Sequence, residues 1–119
     1  MSERIVRIVE SSIKGPYNLL SLADGQSVEF VAVKIEEGHA KREVIEGSRK
    51  TMIEGPILRV HAAPGTFVFG APYVDILAGR TIAALTSLFK NIKKPIKLKL
   101  TARGREPDKW YEIEWSVIE

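Results

Sequence analysis

Arg103 and Arg105 bracket Gly104, and Lys109 and Trp110 follow close behind. A guanidinium is a planar fork of donors that matches a phosphate, and a neighbouring aromatic offers a face on which a base can stack for about 1–3 kcal/mol. This cluster is therefore the first candidate for gripping a nucleic-acid strand. It can do so only if its tip faces a concave surface and is not neutralised by nearby carboxylates. A second basic group, Lys41, Arg42, Arg49 and Lys50, lies earlier in the chain, where Glu36, Glu37, Glu43 and Glu46 dilute its field. Arg49 and Lys50 are its candidate contacts. Arg59 is expected on the outward face of a strand, in reach of a phosphate. Phe69 is the candidate stacking platform in the alternating set Phe67, Phe69 and Tyr73, although aromatics spaced in this way also build cores. Trp110 and Trp115 fall on opposite faces of one strand; Trp115 is expected in the core beside Ile113 and Val117, and Trp110 as a contact residue.

Other chemistry finds no constellation. The chain has no cysteine, so it has neither disulfides, nor thiolate metal ligands, nor a cysteine nucleophile. His39 and His61 neighbour no cluster of ligand residues. Ser11, Ser12, Ser87 and Ser116 have no nearby histidine, and the phosphate-cradling GxxxxGK[ST] pattern does not occur. Asp75 reads as a helix N-cap rather than an acid–base group. A non-enzymatic protein with no metal and no cofactor is expected.

The elements that must position these residues are mostly strands. Arg4 to Val9 is short and β-branched, and Gly15-Pro16 and Asp24-Gly25 break the chain after it. Val28 to Ile35 alternates as a strand, with Glu36-Glu37-Gly38 as its end and no glycine inside it to mark a bulge. His39 to Lys50 reads either as a long hairpin loop or as strand ends projecting from the domain. Thr51 to His61 is a strand interrupted at Gly55-Pro56, which should lie at an edge or bulge because proline cannot donate to a ladder. Thr66 to Tyr73 follows as another strand. From Asp75 onward, Ala78, Ile82, Leu85, Leu88, Phe89 and Ile92 recur at helical spacing, lysines gather at the C-terminal end, and Pro95 stops the helix. Ile96, Leu98 and Leu100 then alternate with Lys97 and Lys99. Tyr111, Ile113, Trp115 and Val117 alternate with Glu112, Glu114 and Ser116, so the outward lysines should face the outward glutamates if the two strands form a hairpin. Gly104 and Pro107 serve the turn between them.

A chain of 119 residues with 45% hydrophobic and 28% charged composition is one globular domain. Arg4 and Arg7 break the apolar run of the N-terminus, so no signal peptide is read there, and no stretch is long enough to span a bilayer. A soluble, cytoplasmic protein is expected. Gln26, Asn18 and Asn91 are the sole amide side chains beside abundant Lys and Glu, a pattern found in hyperthermophiles. The net charge of +3 is mild, but basic residues outnumber acidic ones from Lys90 to Lys109, and this permits a polyanion partner.

From about Val28 to Ile118 the chain resembles the OB-fold single-stranded nucleic-acid-binding proteins of archaea, phages and viruses. The resemblance is carried by the helix with Ile82, Leu85 and Leu88, then Pro95-Ile96-Lys97-Leu98, Ala102-Arg103-Gly104-Arg105 and Trp110-Tyr111-Glu112-Ile113. It implies a mainly β domain, a five-stranded Greek-key barrel with a helix between strands 3 and 4, which binds oligonucleotides across strands 2–3 and loops 1–2 and 4–5. Residues 1–27 would be an extension packed on or preceding the barrel. The implied function is non-catalytic binding of single-stranded DNA or RNA through Arg103, Arg105, Lys109, Trp110, Arg59, Arg49, Lys50 and Phe69. The alternative is a structural or protein-interaction module, viral or part of an assembly, that self-associates into homo-oligomers through exposed strand edges.

Overall fold

A computed structural model of the chain describes residues 4–66, 68–106 and 108–118. Phe67 and Pro107, two of the residues singled out above, lie outside these. The elements run β1 Arg4–Ser11, β2 Ser27–Glu46, β3 Arg49–Ala62, β4 Tyr73–Ile76, α1 Gly79–Asn91, β5 Ile96–Arg103 and β6 Trp110–Val117. The protein is mainly β with one helix. Every strand pair is antiparallel. The six strands form one open sheet in the order β4-β3-β2-β5-β6, with β1 also paired to β2.

β2 organises the sheet. One of its edges carries β3 from Ala32 to Glu46. The other edge is shared: β5 takes Ser27 to Ala32, and β1 takes Ala40 to Glu46. A one-residue register shift at Val33 falls where β5 leaves β2. Such a bulge bends and twists the strand that carries it, so the strand has a bulge without the glycine that would have marked it. The expected end of this strand at Glu36-Glu37-Gly38 is corrected, since β2 continues through Gly38 to the hairpin turn. Glycine is needed there for a different reason: a Cβ on Gly38 would stand 2.6 Å from Ile13 Cγ1 and 2.7 Å from Ser12 Oγ. Of the two readings of His39 to Lys50, projecting strand ends are the observed one. The turn is closed by Gly47, whose φ of 61° suits the first central position of a type II′ hairpin.

The charged residues of this ribbon are stitched across it. Glu43, buried on the central strand, is 3.0 Å from Arg7 of β1 and 3.2 Å from Lys50 of β3. Pro56 lies on β3 beyond the stretch that β4 covers, Leu58 to His61, so its missing donor faces an unpaired edge as expected.

The main core lies under the other half of the sheet. Ile96, Leu98, Leu100 and Ala102 of β5 meet Phe30, Leu58, Val60, Val74 and Ile76 from the neighbouring strands, and Ile82 and Leu85 of α1 close over them. The alternation of β5 and the helical stripe are both as the residue spacing predicts. A smaller cluster of Ile13, Ala40 and Ile57 packs beneath the projecting ribbon.

Three expectations are corrected here. The strand expected over Thr66–Tyr73 is displaced to Tyr73–Ile76; residues 68–71 form a tight reversal closed by two hydrogen bonds of 3.0 Å between Val68 and Ala71. Asp75 is not the helix cap, a position that falls to Ala78. Asp75 instead sits inside β4, where its backbone bonds Asn18 and Leu20 at 2.8 and 2.9 Å. Trp115 is not core: it is 47% exposed, while Tyr111 is 5% exposed. β6 is the last strand of an open sheet, and α1 covers its first half, where Thr81 Oγ1 accepts from the Tyr111 N–H at 2.9 Å.

Candidate functional site

The outward face of β5 and β6 is a ladder of paired charges. Lys97 meets Glu29 at 2.9 Å, Lys99 meets Glu114 at 3.8 Å and Arg103 meets Glu112 at 2.9 Å. The hydrogen bond from Lys97 lowers the Glu29 carboxyl below its ordinary value, and the same bond raises Lys97. Arg103 is likewise raised by its bond to Glu112. Of the two outward lysines, Lys99 faces a β6 glutamate as the alternation predicts; Lys97 lies opposite Ser116 and turns to Glu29 of β2, and Glu112 is taken by Arg103.

Gly104 and Lys109, at the two ends of the β5–β6 connection, both bind the segment before β2. The Gly104 N–H donates to Asp24 Oδ1 at 3.0 Å, and Lys109 Nζ donates to the Leu22 carbonyl at 2.6 Å. Arg105 is exposed and has no ion-pair partner among the described residues. Trp110 is half-buried, and the Arg80 guanidinium lies 3.8 Å from its ring centroid, so one ring face is already taken by a cation.

Arg59 is not on an outward face. It is 7% exposed, and its Nε donates to Asp75 Oδ1 at 2.7 Å. Nη1 donates to the Lys14 carbonyl at 2.9 Å; Nη2 donates to Pro16 O and to Asp75 Oδ2, each at 3.2 Å. The Tyr73 ring lies 3.9 Å away. Burial alone would lower its pKa, but the hydrogen bond and charge of Asp75 outweigh burial and raise it. Arg59 is therefore a structural rivet: it holds residues 14–18 against β3 and β4. The second carboxylate oxygen of Asp75 also accepts from the Asn18 N–H at 2.8 Å.

Arg49 and Lys50 stand at the hairpin tip, where Arg49 is exposed and Lys50 reaches back to Glu43. Phe69 is 63% exposed and takes a φ of 52°, a left-handed conformation that costs a residue with a Cβ roughly 1–2 kcal/mol. It is far more exposed than a core aromatic.

One concave surface brings several of these segments together. A cleft of about 370 Å³ opens between β1, β2, residues 19–21, the link from β4 to α1, and the β5–β6 loop. Val6, Leu20, Leu77 and Tyr111 supply its apolar walls. Arg4, Arg42 and Lys109 supply its positive charge, and Glu106 and the buried Asp75 its negative charge. A second hollow, lined by Asp24, Gly104 and Arg105, shares Glu106 and Lys109 with the first. Clefts of this size with apolar walls and a few convergent polar groups are the usual form of a ligand site. Arg4 pairs with Glu46 at 2.8 Å and lies 3.7 Å from Glu106. Burial and the nearby charge of Arg4 push the Arg42 guanidinium below its ordinary pKa, with Glu106 opposing them.

Of the eight predicted contact residues, Lys109 lines the main cleft and Arg105 the adjoining hollow. Arg103, Arg59, Trp110 and Lys50 are engaged with other groups of the protein, and Arg49 and Phe69 stand at separate tips. Arg42 belonged to the second basic group in the sequence, where its acidic neighbours hid it. In the sequence Arg4 figures only as the start of a short β-branched segment and as a charge that breaks the apolar run of the N-terminus. Among the described residues no helix is long and apolar enough to cross a membrane. Comparison of the chain with models of protein families, with curated proteins and with solved structures gave no match.

Proposed function

We propose that this chain is a non-catalytic binder of single-stranded DNA or RNA, built on an OB-like sheet. The strand order supports this reading. Counting β2, β3, β4 and β5 as four consecutive strands, the spatial order β5-β2-β3-β4 is the 4-1-2-3 arrangement of a Greek key. The helix enters between the third and fourth of these, and the bulge at Val33 bends the first where it changes partner. The two excursions that bind oligonucleotides in an OB-like barrel correspond to the β2–β3 hairpin and the β5–β6 loop. Arg4 touches an acid from each, Glu46 and Glu106.

The observation that carries the proposal is the convergence of Arg4, Arg42 and Lys109, from three separate segments, on one cleft with apolar walls. Phosphates would be held by these cations and Arg105, with bases resting on the apolar walls. If three phosphates are contacted, the logarithmic salt slope for a single strand is about −2, and affinity falls roughly 20-fold between 50 and 200 mM salt. Fluorescence anisotropy with a labelled oligonucleotide at those two salt concentrations, with duplex as control, tests this. Absence of single-strand binding at the lower salt refutes it.

A second reading is favoured by one observation. Trp115, Val117 and Ile118 are 47%, 40% and 42% exposed at the last strand of an open sheet, and exposed apolar edge strands promote self-pairing. Under this reading the chain is a self-associating interaction module. Light scattering behind size-exclusion chromatography distinguishes the two: a salt-insensitive oligomer that ignores oligonucleotides and dissociates in Trp115→Lys supports the second.

A further inference from the structure

We infer that Arg4 and Arg42 form a subsite for a single phosphate group, and that the carboxylate of Glu106 is the internal anion which that phosphate displaces. The register of β1 on β2 sets the pair: Arg4 lies opposite Glu46, Val6 opposite Val44 and Ile8 opposite Arg42. Side chains alternate along a strand and opposed residues share a face, so both guanidiniums emerge on the cleft side, on either flank of the Val6–Val44 pair. Glu46 engages Arg4 through one terminal nitrogen. The Arg4 Nε is buried with no hydrogen-bond partner, and Arg42, half-buried, makes no ion pair among the described residues. Two partly desolvated like charges with unspent donors are unfavourable unless an anion joins them. Glu46 is held to Arg4 at 2.8 Å; the other carboxylate beside Arg4 is Glu106, which at 3.7 Å is beyond hydrogen-bond length. A phosphate offers oxygens in the geometry that guanidinium forks match. Lys109 faces the same cleft and keeps donors beyond the one given to Leu22.

This inference rests on the proposed nucleic-acid reading for the source of the phosphate, and the experiment separates the two. Wild type, Arg42→Met and Glu106→Gln are titrated with a labelled oligothymidylate, with and without a 5′-phosphate, across a salt series. In parallel, inorganic phosphate is tested for its effect on melting temperature, with chloride of equal ionic strength as control. Arg42→Met should weaken oligonucleotide binding about tenfold and make the salt slope shallower by about 0.7. Glu106→Gln should tighten binding several-fold, and inorganic phosphate should raise the melting temperature of wild type and Glu106→Gln but not of Arg42→Met. Equal binding of the two oligonucleotides places an internal diester in the subsite, and tighter binding of the phosphorylated one places a strand end there; either upholds it. If wild type binds the strand while both variants bind it identically, the subsite is refuted and the proposed function stands. If wild type does not bind the strand, the proposed function falls, and the phosphate arm alone then upholds or overturns the subsite. Should Arg42→Met fail to fold, Glu106→Gln still decides: affinity unchanged from wild type overturns the inference.

Discussion

Replacing Arg59 with alanine should cost the protein much of its stability rather than acting selectively on binding. Asp75 is fully buried, and the substitution strips it of both of its bonds from Arg59. Removing one partner of a buried ion pair costs about 3–5 kcal/mol, because the remaining charge is left uncompensated. The Lys14 carbonyl loses its donor as well, and the Pro16 carbonyl keeps only the Tyr73 hydroxyl; bonds from charged donors are worth about 1.5–3 kcal/mol each. These losses overlap, since residues 14–18 can move toward water once released, so about 4 kcal/mol is expected overall. A domain of this length has about 6–18 kcal/mol in total, so Arg59→Ala should fold but unfold early. Urea denaturation followed by tryptophan fluorescence gives the value from the midpoint, provided the slope is unchanged. The double variant Arg59→Ala/Asp75→Ala should cost less than the sum of the two single variants, as a coupled pair requires. A loss below about 1 kcal/mol, the level of an exposed pair, would refute the assignment of Arg59 as a rivet. So would normal stability combined with lost oligonucleotide affinity.

Burial raises the Tyr111 hydroxyl, so the folded state holds its proton more tightly than the unfolded chain does. This contribution is complete below the ordinary tyrosine value of about 10 and is lost as pH rises through the raised one. Tyr111→Phe should flatten that alkaline decline in urea midpoints, while costing about 1 kcal/mol at neutral pH for the bond to the Leu20 carbonyl. Gly38→Ala forces a methyl against Ile13 and Ser12 and should destabilise by about 1–3 kcal/mol, with loss of amide-exchange protection at Ser12 and His39. Phe69→Asn relieves the left-handed strain and should raise stability by about 1 kcal/mol. If Phe69 stacks a base, the same variant weakens oligonucleotide binding about fivefold or more, and anisotropy reads the trade directly.

The alternating strands and the helical stripe were legible because their partners follow a local period. β5 with β6 and the facing of Lys99 and Glu114 could be read from Ile96 to Val117 alone, whereas the partner of Lys97 is Glu29 of β2, which that stretch does not contain. β2 was read short because Glu36, Glu37 and the basic residues after them look like loop. In a ribbon that projects from the core, a strand carries charge freely, and Glu43 satisfies two neighbours at once. Asp75 looked like a cap because a carboxylate before an apolar stripe usually is one. Its partner Arg59 is 16 residues away, and no local period connects them. The cleft was invisible for the same reason: Arg4 and Arg42 meet only through the register of β1 on β2, which residue types do not announce.

The shared edge of β2 also bears on how the chain finds this sheet. Its hairpin with β3 closes through a two-residue turn, so its contacts form at small entropic cost. The β1 pairing must close far longer loops, with Arg7 and Glu43 36 residues apart, and β5 arrives only after the helix. Contacts of greater sequence separation are gained more slowly. The ribbon half of the domain thus offers the early scaffold, and the Arg4–Arg42 face is assembled late, when the N-terminal strand docks on a template already in place.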